Sequence, residues 1–302
     1  MRNDLTVISV NFENHGKGDE NVRRTFYGIL REEGPGVVLV QEEWRPEVHE
    51  STEKTLGMVR VSPPESPCGI YVDSQVFEVG PDWSPTPGVW ALQPAFRTLR
   101  LVGTSREAAP LIVGSFHNNY SSPSSRLAET EDLGRYIDKK WGVGGKEYRV
   151  PSVLGGDTNS PALYVDGGPP EMDSGSITDT PHAVHRSYLD CVEGFFPDTR
   201  PDRWMHCLGY HDVAVEAARI TGHSAPVQAT VRDSPTQGPG QRPDRVYHTA
   251  VLSSALLDVG VLPMVHPLTG GALTDHNALV VTYALPALTG ILNDVSLHLI
   301  GA

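Results

Sequence analysis

Positive charge is scarce in this sequence. Against 37 Asp and Glu stand only 24 Lys and Arg in 302 residues, a net charge of −13. No lysine run exceeds Lys139-Lys140. Tight nonspecific binding to nucleic acid rests on clustered Lys and Arg that neutralise phosphates, so that class is disfavoured, although a local basic groove is left open. Cysteine is equally sparse. Cys68, Cys191 and Cys207 are far apart and odd in number, which suits reduced thiols and argues against a disulfide framework or a zinc site. No stretch reaches the ~18 apolar residues of a membrane-spanning helix, so no membrane partner is expected. The chain runs from Met1-Arg2-Asn3-Asp4 straight into LTVISV, without the apolar core of a signal peptide. A cytoplasmic location is the expectation. Internal repeats and low-complexity linkers are missing as well.

What remains is a globular composition, 39% apolar, with short apolar runs rich in Val, Ile and Leu and bounded by Gly, Pro and Ser. They fall at Leu5–Val10, Val37–Val40, Met58–Val61, Gly69–Val72, Phe96–Val102, Leu111–Phe116, Ser152–Leu154, Arg245–His248, Leu256–Leu262 and Ala278–Tyr283, and each reads as a strand. The strand at Ser152–Leu154 is expected to break at Gly155-Gly156. Helical spacing is confined to Asn21–Glu33 behind Asp19 as N-cap, to Ser125–Trp141 opened by Ser124 or Ser125, and to a weaker Asp212–Ile220. Many strands with few helices between them predict an α/β fold, a two-sheet sandwich of mixed strands flanked by helices. The stretches Pro81–Pro94, Pro161–Asp179 and Val231–Pro243 read as long surface loops. Leu285–Ala302 is left unplaced.

The polar residues sit at the strand ends. Asn11 follows LTVISV, and Gln41-Glu42 closes VVLV. His117 closes LIVGSF, and Asp157 and Asn159 follow VLGG. Asp244 opens DRVYH, and Asp275-His276 opens NALVVTY. Buried polar groups are costly without partners, so their repetition at strand ends predicts convergence on one cleft. Each motif has a plainer reading by itself. Gly-Asp-x-Asn is also a turn, Asp244-Arg245 a solvated charge pair, Thr274-Asp275-His276 a loop, and His117 a surface histidine. The joint set carries the inference. Glu42, Asp275 and Asn11 offer hard oxygens of the kind Mg²⁺ or Mn²⁺ prefers. Two histidines and a further carboxylate suit orienting a water and stabilising a charged phosphate oxygen.

The ordered series VISVNFEN, VVLVQEE, VGSFHNN, VLGGDTNS, RPDRVYH, LTDHNALVV resembles the endonuclease/exonuclease/phosphatase superfamily, the DNase-I-like or exonuclease III-like fold. The motifs extend from Asn11 to His276, so the resemblance implies one catalytic domain over residues 1–302. It implies a hydrolase with Glu42 as main Mg²⁺ ligand and with Asn11 and Asp275 near the ion or the phosphate. Asp157 would align or deprotonate the attacking water, and Asn159 would hold a phosphate oxygen. His276, oriented by Asp244, would contact the phosphate or act as base, and His117 would stabilise the transition state or protonate the leaving oxygen. Val10 stands where the family commonly has an aromatic residue, Thr274 where it has Ser, and Arg245 where many members have Tyr.

The segment DTPHAVHRSYLDC is expected to overhang the site, with His182, His185 and Arg186 available to a second anionic group; a loop cluster without ligand is the plainer reading. Gly142–Lys146 lacks the Lys-Ser/Thr pair of a P-loop and reads as a turn. The function expected is a Mg²⁺-dependent phosphodiesterase or phosphatase acting on a small-molecule or single-stranded phosphoester. A DNA or RNA nuclease is the alternative, and a non-hydrolytic binding or biosynthetic protein reusing the fold is a further one.

Overall fold

The computed structural model describes residues 3–173, 175, 177–190, 194–234, 236 and 238–298. Its strands are β1 (Asp4–Asn11), β2 (Val37–Gln41), β3 (Val59–Arg60), β4 (Gly69–Val72), β5 (Phe77–Asp82), β6 (Ala95–Leu101), β7 (Leu111–His117) and β8 (Lys140–Val143). They continue with β9 (Lys146–Arg149), β10 (Ser152–Asp157), β11 (Ser187–Asp190), β12 (Gly194–Pro197), β13 (Tyr210–Asp212), β14 (Asp244–Thr249), β15 (Leu256–Leu262) and β16 (Ala278–Ala284). Two six-stranded mixed sheets result, ordered β15-β16-β1-β2-β4-β3 and β13-β14-β10-β7-β6-β5. Within them β1 and β2 are parallel, as are β7 and β10.

Period-two alternation explains the layering. Along β1, Leu5 and Val7 face the other sheet while Ile8 and Val10 face outward; along β2, Val37 and Leu39 face inward and Val38 and Val40 outward. The inner set meets Val113, Val153 and Val246 from the second sheet. After the short α1 (Glu13–Gly16), outward residues pack under α2 (Glu20–Glu32) through Phe26, Tyr27 and Leu30 and under α3 (His49–Leu56) through Leu56. On the far side, Phe96, Ile112, Phe116 and Leu154 meet Leu133 of α4 (Pro123–Leu133) and Met205 of α6 (Arg200–Cys207). Each such buried side chain contributes roughly 1.5–3 kcal/mol. The two-sheet sandwich with outer helices is thus the architecture observed.

Several local expectations change. β10 does not break at Gly155-Gly156 but runs through both to Asp157. A Cβ on Gly155 would lie 2.8 Å from Ser9 Oγ and Leu39 Cδ1, and one on Gly156 would lie 2.0 Å from the Phe116 carbonyl. Glycine here lets neighbouring backbone and the opposite sheet come close. Asp19 caps α2 as expected, accepting from the Asn21 and Val22 amides. The second helix is shorter than the sequence spacing predicts and is capped by Ser122, ahead of Ser124. It ends at Leu133 because Gly134 opens a 3₁₀ turn that stacks Tyr136 on Phe96 at 3.7 Å, and Trp141 belongs to the β8–β9 hairpin. Within Gly142–Lys146, read as a turn, Gly144-Gly145 is that hairpin's connection and the flanking residues pair in its strands. Of the unplaced C-terminal segment, Leu285–Asn293 forms α8, with Leu288, Ile291 and Leu292 buried; residues 299–302 lie outside the described residues. Pro81 and Asp82, assigned to a loop, end β5. Cys68 and Cys207 are free thiols; Cys191 lies outside the described residues. No helix among the described residues is long and apolar enough to cross a membrane.

Candidate functional site

Strand direction gathers the polar ends at one edge. The parallel pairs put the carboxyl ends of β1 and β2 side by side, with Asn11 opposite Gln41, and those of β7 and β10 likewise, with His117 opposite Asp157. The antiparallel strands β14 and β16 start at the same edge, and Asp244 pairs with Asp157. Glu42 leaves the sheet at a left-handed φ of 64°, a conformation disfavoured for a non-glycine residue and enriched at functional positions. Gln41 turns into the space between the sheets and donates to Ser115 Oγ at 3.0 Å. The next acid, Glu43, is buried under the hydroxyls of Tyr27 and Tyr71 and lies outside the cluster.

Asn11, Glu42, His117, Asp157, Asn159, Asp275 and His276 line one cavity of about 280 Å³, together with Glu13, Asn14 and Tyr120. The Asn11 amide donates to Glu42 Oε1 and to Asp157 Oδ2, both at 3.1 Å, and its own oxygen accepts from the Glu13 N–H at 2.9 Å. Asn11 is therefore a clamp between two carboxylates. Glu42 Oε2 accepts from the Asn14 N–H at 2.5 Å, and His117 Nε2 lies 3.1 Å from Glu42 Oε1. Burial pushes the Glu42 carboxyl up, but His117, the Asn14 amide and Asn11 outweigh it and hold it at about 2. His117 is raised above the usual histidine value, since Glu42 and Asp157 outweigh the cost of burying its charge.

Asp157 is the centre. His117 Nε2 lies 3.7 Å and His276 Nε2 3.8 Å from its Oδ2, and its Oδ1 accepts from the Asn159 N–H at 2.7 Å. Burial raises its carboxyl, yet the two histidines bring it below the ordinary aspartate range. Asn159 holds a left-handed φ of 48° and donates its amide to the Asn118 carbonyl at 2.9 Å. His276 Nδ1 lies 2.7 Å from Asp244 Oδ2. Burial lowers this imidazole, but Asp244, Asp157 and Asp275 push it up to about 10. Asp275 is raised, mainly by burial. Asp157, Asp244 and His276 each bring an atom within 4.8 Å of the others.

His182, His185 and Arg186 also line the cavity, from α5 (Thr180–His185) and its C-cap. Asp179 caps that helix through the His182 N–H, and Tyr120 meets His185 edge to face at 6.1 Å.

Some contributors had no strong signal in the sequence. Arg245, read as half of a solvated pair, is fully buried and donates to the Ser160 carbonyl at 2.7 Å, bracing the turn after Asp157. Thr158 Oγ1 donates to the Pro243 carbonyl at 2.7 Å and Thr230 Oγ1 to Asp244 Oδ2 at 2.6 Å. An arginine directly after a strand-end acid is the one trace of this in the sequence; a lone threonine in a loop leaves none.

No protein-family model and no curated protein matches the sequence. Solved structures do. An AP endonuclease from Archaeoglobus fulgidus aligns at TM-score 0.60 and 16% identity over 93% of this chain and 100% of its own. D. rerio TDP2 complexed with single-strand DNA product aligns at 0.59 and 14%, over 93% and 99%. A mannosyl-6-phosphatase from Bacteroides thetaiotaomicron aligns at 0.57 and 12%, over 92% and 98%. With two mixed sheets packed face to face, helices outside and the polar strand ends at one edge, the chain has the DNase-I-like fold of the endonuclease/exonuclease/phosphatase proteins.

Proposed function

We propose that this chain is a Mg²⁺-dependent phosphoester hydrolase, a phosphodiesterase or phosphatase that directs water at a small or single-stranded phosphoester. The observation that carries this reading is Asp157 held between two imidazoles, at 3.7 and 3.8 Å, while Asn11 ties it to Glu42. An acid that orients water, histidines that hold protons toward oxygen and a separate carboxylate set are the parts phosphoryl transfer uses.

The residues fit a hard divalent cation. Glu42 and Asp275 line one cavity with Asp157, and Asp275 Oδ1 is a buried carboxylate oxygen with no hydrogen-bond partner among the described residues. Glu42 and Asp275 would hold the ion, with Asn11 setting the Glu42 rotamer, and oxygen donors select Mg²⁺ or Mn²⁺ over softer metals. When bound, the ion supplies charge stabilisation at the phosphoryl oxygens. Asp157 orients the attacking water and takes its proton. His276, aimed by Asp244, donates Nε2–H to a phosphoryl oxygen. In this reading His117 protonates the leaving oxygen and Asn159 holds another phosphoryl oxygen, both from the cavity wall.

The cavity, about 280 Å³ and lined in part by His182, His185 and Arg186, is at the small end for ligand sites, which favours small esters over intact duplex. A nuclease acting on single strands is the second reading. Tyr120, 65% exposed beside His185, offers a base-stacking surface, and one structural neighbour carries single-strand DNA product.

The test is Mg²⁺-dependent hydrolysis of a bis-aryl phosphate, with nucleotides, sugar phosphates, single-stranded DNA, RNA and plasmid compared. Glu42→Ala and His276→Ala should abolish turnover. Undiminished turnover in either overturns the assignment, and folded protein that cleaves no ester supports a binding role instead.

A further inference from the structure

At the far end of β14 from Asp244, a second cluster stands apart from the strand-end cavity. His248 lies four residues along the strand from Asp244, roughly 13 Å at ~3.3 Å per residue. His211 on β13 is its direct cross-strand partner. Glu216 enters from the first turn of α7 (Val213–Thr221), which Asp212 caps. His248 Nε2 lies 2.7 Å and His211 Nδ1 3.3 Å from the same carboxylate oxygen, Glu216 Oε2. The three ligand-type atoms lie within 4.8 Å of one another. His248 is fully buried and Glu216 nearly so, whereas the His211 side chain is 45% exposed. The cluster is closed at His248 and Glu216 and open at His211.

We propose that His211, Glu216 and His248 form a Zn²⁺ site, distinct in place and chemistry from the oxygen-rich strand-end cavity. Two imidazole nitrogens and one carboxylate oxygen are a borderline-soft set that favours zinc, while Mg²⁺ prefers oxygen alone. Tetrahedral zinc with bonds of about 2.0–2.1 Å separates its ligand atoms by roughly 3.3 Å. The His211–Glu216 pair already has that spacing. The His248–Glu216 contact opens by about half an ångström as the ion replaces its hydrogen bond. His248 has the outer partner such a ligand requires, since its Nδ1 lies 3.2 Å from the Tyr283 hydroxyl on β16. With Nε2 on the ion, Nδ1 keeps its proton and donates it to that hydroxyl, which fixes the ring. The fourth position faces the exposed side, where water enters or Ser253 Oγ, 3.3 Å from His211 Nδ1, approaches. The bound ion ties β13, β14 and α7 together and stabilises the folded state by mass action.

The test uses the full chain stripped by chelator, with excess Mg²⁺ to fill the strand-end carboxylates. Zn²⁺ is titrated by calorimetry, and Co²⁺ is followed by visible absorption. One equivalent of Zn²⁺, a rise in Tm and the visible bands of four-coordinate Co²⁺ are expected. His211→Ala, at a half-exposed position that should leave the fold intact, weakens Zn²⁺ by at least about tenfold and removes the Tm rise. Tyr283→Phe weakens it by roughly 10–100-fold. Glu42→Ala still takes up the equivalent. Absence of Zn²⁺ uptake by folded wild-type protein overturns the site. So does uptake that persists in His211→Ala but vanishes in Glu42→Ala, because the ion then belongs to the strand-end cavity.

Discussion

His276 Nδ1 lies 2.7 Å from Asp244 Oδ2, and the same oxygen accepts the Thr230 hydroxyl at 2.6 Å. Asp244 is fully buried, so the carboxylate cannot turn away and the ring stays aimed at Asp157 through Nε2. Asp244→Asn should therefore lower the His276 pKa from about 10 toward the ordinary histidine range and cut phosphoester turnover by about 10²-fold or more. Histidine NMR titration of the metal-free variant reads the first effect. A His276 titration identical to wild type would show that Asp244 does not set its charge.

Glu42→Gln keeps the shape at a left-handed backbone position but removes the charge offered to the cation. Mg²⁺ affinity should drop, and turnover should fall by about 10³-fold, a loss of several kcal/mol in charge stabilisation. The circular dichroism spectrum should be unchanged. Wild-type Mg²⁺ affinity in this variant would remove Glu42 from the ligand set.

Acid should weaken the metal-free protein through Glu42 and Glu216. Burial pushes both carboxyls up, but the hydrogen bonds of His117 to Glu42 and of His248 to Glu216 win and hold each at about 2, below the ordinary 4.5. A folded-state pKa below the unfolded one gives stability that is complete above pH 4.5 and fades as pH falls through about 2. Urea unfolding across that window should show a declining free energy, with a flatter acid limb in Glu216→Gln. Superimposable acid limbs would remove Glu216 from the account.

Gly155→Ala places a Cβ 2.8 Å from Ser9 Oγ and Leu39 Cδ1, where the two sheets approach. Overpacking of this kind costs about 1–3 kcal/mol, so the urea midpoint should fall at unchanged m-value. An unshifted midpoint would mean that the sheets slide apart freely at this point.

Arg186 lies at the cavity wall. Burial, with Arg126 nearby, holds its guanidinium below the usual arginine value against the pull of Asp157 and Asp275. Arg186→Ala should raise KM for esters carrying a second anionic group by about tenfold, with kcat and the KM of singly charged esters nearly unchanged, as for a lost charge-assisted hydrogen bond. An equal KM change for both ester types would assign Arg186 to the common phosphoryl group.

Much of the fold was legible because alternation is local. Leu5 and Val7 against Ile8 and Val10 announce a strand buried on both faces, and Asp19 announces the start of α2. Boundaries were less so. Nothing local tells that Tyr136 will stack on Phe96 and end a helix early, or that Gly155-Gly156 will continue a strand. The strands β11, β12 and β13 are only three or four residues long, too short for a periodic pattern to stand out.

The polar groups at the strand ends and their order, Asn11, Glu42, His117, Asp157, Asn159, Asp244, Asp275 and His276, are written in the chain itself. Side-chain chemistry and period-two patterning are properties of neighbours along the chain. Packing in three dimensions puts all of these but Asp244 into one cavity, sets Asp244 buried against His276, makes Asn11 a clamp on two carboxylates and Arg245 a buried brace, and brings His211, Glu216 and His248 together at the other end of β14. Those outcomes rest on strand register and on two sheets packing face to face, which bring together residues as many as 265 positions apart (Asn11 and His276, both lining the cavity), and long-range register leaves no periodic trace in the sequence.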